Sequence, residues 1–266
     1  MNFRTIVNID KPDFQIEPME QILFVGSCFA DSIGQRFKEE RFPVIVNPDG
    51  VMYNPVSVFH TIARSECAPR LVFITLGTNH VYRLKETGEI VDNCQKRPQS
   101  LFQEEELTVE QCVEALTKGI QLLRSRRPDV QVVLTVSPIR YAKYGFHGSQ
   151  LSKATLLMAV HQLISHFSTY TSQLYYFPAY EIVLDELRDY RFYQPDMIHP
   201  SDQTVEYIWE RLVETCFSQR ARQYLQEWKP IKEALAHRPF NPDSDAYQQF
   251  LAETKQKEKE FLARYL

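Results

Sequence analysis

The chain has 266 residues, 44% of them hydrophobic, enough to bury a full core as one large domain or as a domain with an appendage. A formal net charge of −4 supplies no broad basic surface for nucleic acid, and no run of about 18 apolar residues offers a membrane span. The N-terminal segment MNFRTIVNIDKPDFQIEP is too broken for a secretory signal, and the five cysteines, Cys28, Cys67, Cys94, Cys112 and Cys216, include no CxxC pair. A cytoplasmic protein with reduced thiols and no zinc site is therefore expected.

Residues 1–21 carry Pro12 and Pro18 and no sustained period, and read as a lead-in with an edge strand near residues 5–7. Ile22, Leu23, Phe24 and Val25 form the short apolar run of a buried strand, and Ile33 and Phe37, four apart, share one face of the helix that follows. Between strand and helix Gly26 allows a sharp bend and Ser27 offers a hydroxyl, with Asp31 or the first helix amides beside it. Such a turn presents a nucleophilic serine at the carboxyl edge of a parallel sheet, and it is equally the turn that a plain serine helix cap makes.

Residues 42–46 read as a second strand and Asn47-Pro48-Asp49-Gly50 as a loop in which Gly50 offers an unhindered amide. A helix over residues 56–64 and a strand over 71–76 follow, the strand stopping at Gly77-Thr78-Asn79-His80. Residues 81–83 and the segment around 88–91 suggest a small hairpin insertion, with Asn93-Cys94 after it, and the acidic run at 104–106 reads as solvated surface. Val113, Leu116, Ile120 and Leu123 mark a covering helix over 108–126.

A fourth strand over 130–136 ends at Ser137-Pro138, with Arg140, Tyr141 and His147 in a glycine-containing loop that can act as a lid. Ser152 is placed to cap a helix running to about residue 166 or 167, and a fifth strand over 174–177 ends at Pro178. Strands alternating with helices predict a mostly parallel sheet covered on both faces, with the active edge where the strands end. Beyond Tyr180 a tyrosine-rich loop leads to a helix over 203–217, and the rest is helical, broken near Pro230 and between Pro239 and Pro242.

Asp196 and His199, three apart in DMIHP, allow the carboxylate to hold the imidazole tautomer, as in a catalytic triad or in a merely structural hydrogen bond. With the serine turn and the glycine- and asparagine-bearing turns, the chain supplies nucleophile, oxyanion donors, orienter and base in one order. Gly26-Ser27-Cys28-Phe29-Ala30 spells the motif of the GSCFA family, and Asn47-Pro48, Tyr53-Asn54-Pro55, Gly77-Thr78, Asn93-Cys94, Ser137-Pro138, Phe177-Pro178-Ala179-Tyr180-Glu181, Asp189-Tyr190-Arg191-Phe192-Tyr193 and Asp196 through Pro200 resemble its further blocks. The resemblance runs from about Thr5 to Trp209. It implies an α/β fold grouped with the SGNH (GDSL-like) hydrolases: a three-layer, flavodoxin-like sandwich around a mostly parallel sheet, over residues 1–228, with a C-terminal helical extension over 229–266.

Carried over residue by residue, the resemblance makes Ser27 the nucleophile, His199 its general base and Asp196 the orienter. The amides of Ser27 and Gly50 and the side chain of Asn79 would then hold the oxyanion. His80 stands where the superfamily has aspartate after that asparagine. The block here is Gly-Ser-Cys rather than Gly-Asp-Ser, so a shift of one residue would put Cys28 in place of Ser27. Ser27 is preferred because the Asp-x-x-His pair suits a hydroxyl and a thiol beside Phe29 is expected to be buried and inert.

Substrate contacts are assigned to Tyr53, His80 and Arg140, the last for a carboxylate or phosphate or else in a surface ion pair; Tyr180, Tyr190 and Tyr193 line a sugar or acyl site or pack the loop. The expected activity is serine-dependent hydrolysis of a small ester, with an O-acetylated carbohydrate the candidate substrate and no metal or organic cofactor. Acyl transfer to a sugar hydroxyl and a non-catalytic carbohydrate-binding or scaffolding module are the alternatives. The partners expected are a small-molecule or carbohydrate ester, neither nucleic acid nor membrane, and a second subunit if the amphipathic tail pairs rather than covers the sheet or caps the site.

Overall fold

The computed structural model describes residues 4–168 and 173–266. In chain order the first half comprises β1 (Ile22–Gly26), α1 (Cys28–Glu39), β2 (Val44–Val46), α2 (Pro55–Arg64), β3 (Leu71–Leu76), β4 (His80–Leu84), β5 (Ile90–Val91), β6 (Phe102–Glu106) and α3 (Val109–Arg126). The second half comprises β7 (Gln131–Val136), α4 (Gly145–Phe167), β8 (Leu174–Tyr176), the short α5 (Ala179–Glu181), α6 (Asp202–Cys216), α7 (Gln219–Ala236) and α8 (Asp245–Tyr265). Side-chain caps start most of the longer helices: Asn54 accepts from the Ser57 amide with Pro55 at the first position, and Thr108 and Gln111 close a reciprocal capping box.

Five strands form one parallel sheet in the order β2-β1-β3-β7-β8. This is the flavodoxin-like order, in which the winding direction reverses between β1 and β3, and a crevice opens beyond their carboxyl ends. The expected three-layer α/β sandwich with C-terminal helices is thus the fold observed. Alternate strand residues supply two cores. Ile22, Phe24, Leu71, Phe73 and Val133 face one side and pack with α1, α6 and the tail, whereas Leu23, Val25, Val72, Ile74, Val132 and Leu134 face α2, α3 and α4. Phe24 stacks on Phe73 at 4.6 Å, and Phe37 meets Trp209 edge-on at 4.9 Å.

Several local expectations are corrected. Residues 5–7 form no strand; the lead-in is attached instead by a bridge from Ile16 to Phe217. The acidic run is at the surface as expected, with Glu104 and Glu106 exposed, but it belongs to Phe102–Glu106, the third strand of an antiparallel sheet in the order β5-β4-β6, where Arg83 pairs with Glu105. Helix α4 begins at Gly145, so His147 lies in a helix rather than a lid loop and Ser152 lies in its interior rather than at its cap. Pro230 does not break α7, which is anchored by the buried Tyr224 and Trp228 before the missing amide and by the partly buried Ile231 and Leu235 after it.

The tail covers the domain at the far end of α1. Tyr224 Oη donates to the Glu40 carbonyl at 2.9 Å and Trp228 Nε1 to that of Glu39 at 3.0 Å, satisfying carbonyls that the helix end leaves without partners. Phe261 of α8 stacks on Trp228 at 5.6 Å. No helix of the described residues is long and apolar enough to cross a membrane. Trp228→Ala should therefore destabilise the whole domain by about 3–5 kcal/mol in urea unfolding. A loss confined to α8, with the domain transition unmoved, would contradict this account of the tail.

Candidate active site

The site lies where the sheet topology puts it, in the crevice beyond β1 and β3. Gly26, at φ 143°, pairs with Thr75 so closely that an added Cβ would overlap the Thr75 carbonyl, and only glycine fits. The next residue is drawn into the sheet. Ser27 donates its amide to Thr75 O at 3.0 Å, its Oγ lies 3.1 Å from Thr75 Oγ1, and the same Oγ accepts from the Phe29 amide at 3.3 Å. Ser27 is fully buried. It is the helix cap of α1.

Cys28, rather than Ser27, is the side chain in contact with His199. Its Sγ lies 3.7 Å from His199 Nε2, and His199 Nδ1 lies 2.6 Å from Asp196 Oδ2. With the Nδ1 proton donated to the carboxylate, the Nε2 lone pair accepts from the thiol. The other Asp196 oxygen accepts the amides of Ile198 and His199 at 2.8 and 3.0 Å, which fixes the carboxylate against the turn it orients. Principally because of its bond to the imidazole, the Asp196 carboxyl is held down to about 2 and stays ionised. Cys28 is half-buried; burial foremost pushes its thiol up, the Cys28 amide opposes this, the Asp31 carboxylate adds to it, and Lys153 and the Phe29 amide oppose it more weakly. The resting site is therefore a neutral thiol facing a base, not a preformed thiolate.

Two expected oxyanion donors are committed elsewhere. The Gly50 amide closes a turn onto Asn47 O at 2.8 Å. Asn79 is buried and works as a staple: its amide donates to Ser152 Oγ at 3.0 Å and its Nδ2 to Leu107 O at 2.8 Å, tying the antiparallel sheet to α4. His80 also belongs to that sheet. It stacks on Tyr144 at 3.6 Å, lies within ion-pair distance of Glu104 and Glu106, and has its basicity lowered by burial. None of these contacts brings it to Cys28.

Tyr53 and Arg140 do border the site. The Tyr53 carbonyl receives the amides of Gly77 and Thr78 at 2.8 and 2.9 Å, which fastens its loop across the end of β3. Arg140 donates its amide to Ile198 O at 3.1 Å and Nη1 to Met197 O at 2.9 Å, bracing the segment that carries His199. Its guanidinium lies over Phe146 at 4.0 Å and near Tyr193 at 5.5 Å, beside a cavity of about 420 Å3 that Tyr190 also lines. Tyr180 is tied to Gln150 on the same side at 2.5 Å. A larger groove of about 850 Å3 lies between α2 and the antiparallel sheet, where His60, Arg64 and Asp92 pair with one another; Asn93 lines it and forms a turn to the Gln95 amide. Cys28 does not line it.

Three residues of the site carried no signal in the sequence. Thr75 reads as part of an apolar strand, Tyr141 as loop and Lys153 as one more residue of the predicted helix. Lys153 is in fact 2% exposed, with Nζ donating to Gly77 O at 2.6 Å and Ser137 O at 2.7 Å, across the carboxyl ends of β3 and β7. Tyr141 Oη is buried with no hydrogen-bond partner among the described residues. Leaving a buried hydroxyl unpaired costs about 1–3 kcal/mol. Among the described residues no group of three His, Cys, Asp or Glu side chains is arranged to hold a metal ion.

Burial lowers the Lys153 ammonium to about 7. The unfolded chain then holds that proton up to about pH 10.5 while the folded one gives it up near 7, so this group makes stability rise with pH between those values. The slope can be no steeper than about 1.4 kcal/mol per pH unit. Lys153→Met should remove that rise from urea-denaturation data taken between pH 7 and 10, and an identical pH dependence in the variant would refute the assignment.

The GSCFA family model matches residues 21–68 and 68–212, and a model for the GSCFA domain protein, C-terminal domain, matches residues 228–266. No curated protein sequence matches the chain. Similar solved structures include an acetyl esterase mutant with an acetate ion, at 12% identity and TM-score 0.48 over 79% of this chain and 99% of that one. A carbohydrate esterase family 3 protein from Talaromyces cellulolyticus is 11% identical with TM-score 0.45, over 79% and 99% of the two chains. A GDSL-like lipase from Bacteroides thetaiotaomicron VPI-5482 is 12% identical with TM-score 0.47, over 79% and 89%. With family models covering both the sandwich and the tail, the chain belongs to the GSCFA family.

Proposed function

We propose that the protein is a thiol-dependent acyl hydrolase acting on small esters through Cys28, His199 and Asp196. The observation that carries this reading is the continuous contact from Cys28 Sγ to His199 Nε2, and from His199 Nδ1 to Asp196, at the crevice of a flavodoxin-like sheet. As Sγ bonds to the ester carbonyl carbon, Nε2 takes the thiol proton and Asp196 stabilises the imidazolium. The tetrahedral oxyanion collapses, and the leaving alcohol takes the proton from His199. A thioester on Cys28 remains. Water, deprotonated by His199, attacks that thioester, and release of the carboxylic acid restores the thiol.

The half-exposed Tyr53 and the exposed Phe146 and Tyr190 beside the site suit the faces of a sugar ring, which supports an O-acetylated carbohydrate as substrate. The thiol also favours a neighbouring activity, since the same thioester can pass its acyl group to a sugar hydroxyl that displaces water. One observation favours a non-catalytic carbohydrate-binding module instead: Gly50 and Asn79 spend their donors away from Cys28.

The experiment is acylation of Cys28 by p-nitrophenyl acetate, followed by intact-mass spectrometry and p-nitrophenol release. Wild type should acquire one acetyl group at Cys28. Cys28→Ala should abolish the reaction and His199→Ala should slow it about 10²–10⁴-fold. Ser27→Ala should react while losing about 0.5–2 kcal/mol of stability with its helix cap. In His199→Ala the thiol must ionise unaided, and because burial and Asp31 push it up from 9, iodoacetamide alkylation should go on accelerating beyond pH 9. An acetyl group found on Ser27, or a rate that survives Cys28→Ala, would eliminate the thiol mechanism.

A further inference from the structure

Resting on the acyl chemistry just proposed, we infer that Tyr141 is a catalytic residue whose hydroxyl donates to the tetrahedral oxyanion formed on Cys28. A site that builds a tetrahedral oxyanion needs donors aimed at it. The Cys28 amide, first in α1, is one of the helix amides with no intrahelical acceptor and can serve as one. The side chain expected as another, Asn79, is bonded to the Leu107 carbonyl, and the Gly50 amide to Asn47. The buried Tyr141 hydroxyl is the donor left unused.

Its position is built rather than incidental. A Cβ on Gly77 would run into Tyr141 Oη, so glycine at the end of β3 is what admits the hydroxyl to the carboxyl edge of the sheet. That edge is the one where β3 carries Thr75, the partner of Ser27, immediately before Cys28. The Gly77 carbonyl is held by Lys153, whose Nζ lies 5.0 Å from the Tyr141 ring centroid, and the Tyr53 ring meets Tyr141 edge-on at 6.0 Å. The Tyr141 amide is fixed to Ser149 Oγ at 3.1 Å. Negative charge developing on Cys28 is felt at Tyr53, Tyr141 and Lys153 alike, which makes the four one electrostatic cluster. Burial, then that charge, keeps the Tyr141 phenol protonated and hence a donor.

The hydroxyl's role separates from that of the thiol in one comparison. Acylation passes through an oxyanion, whereas alkylation of Cys28 by iodoacetamide displaces iodide without one. Tyr141→Phe should slow acylation by p-nitrophenyl acetate about 10²–10³-fold, leave iodoacetamide alkylation within about twofold of wild type, and leave the melting temperature unchanged or higher. Acylation within about threefold of wild type overturns the assignment while leaving the thiol mechanism standing. Equal losses in acylation and alkylation overturn it as well, since Tyr141 would then be shaping Cys28 itself. Wild-type protein that alkylates at Cys28 yet never acylates overturns both readings, and this outcome is visible without any variant.

Discussion

The local chemistry depends on one hydroxyl that is not free. Ser27 is held from both ends, its amide on the Thr75 carbonyl and its Oγ between Thr75 Oγ1 and the Phe29 amide. These bonds start α1 and direct residue 27 into the sheet. The residue after it begins the helix and turns toward the crevice, where His199 waits. The glycine, the cap and the thiol form one device, and the commitment of the cap is what makes the thiol available.

That device explains which parts of the protein were legible in the sequence. Strands buried on both faces announce themselves as apolar runs, so Leu71–Leu76 was readable to the residue, and Asn54, Thr108 and Ser201 begin their helices as cap chemistry predicts. Asp196 and His199 were legible because their interaction is local, within one turn. The choice between Ser27 and Cys28 was not, because it depends on Thr75, 48 residues away and hidden in an apolar strand. Gly50 and Asn79 have the right residue types for donors, but residue type does not reveal which acceptor a donor already has. Ser152, expected as a cap, lies inside α4 because a polar residue in a helix reads as a cap until the neighbouring strand ends are known, and Lys153 gives no signal for the same reason.

A lysine buried among strand ends is costly, and its geometry says what it answers. The carbonyls of Gly77 and Ser137 lie at the carboxyl edge, where β3 and β7 have ended and no further ladder can satisfy them. One ammonium reaches both. It also places positive potential beneath the crevice in which Cys28 would develop negative charge, so the group that repairs the sheet edge biases the site electrostatically. Holding the Gly77 carbonyl fixes the residue whose missing side chain gives Tyr141 its room.

The distribution of elements around α1 then separates stability from specificity. Its N-terminus opens on the crevice, and its C-terminus is sealed by Tyr224, Trp228 and Lys232 of the tail. Since α1 is 12 residues long, about 18 Å lies between the two ends. The tail therefore acts on the core rather than on the mouth of the site. The mouth is left to the segments carrying Arg140, Phe146, Tyr190 and Tyr193, which meet through cation–π contacts instead of a packed core. Of these rings Phe146 and Tyr190 are exposed, Tyr193 packs partly against the core, and the Arg140 guanidinium is fixed by its bond to the Met197 carbonyl. The loop that Arg140 braces thus borders the crevice, whereas the contact between Cys28 and His199 depends on the turn that Ser27 caps.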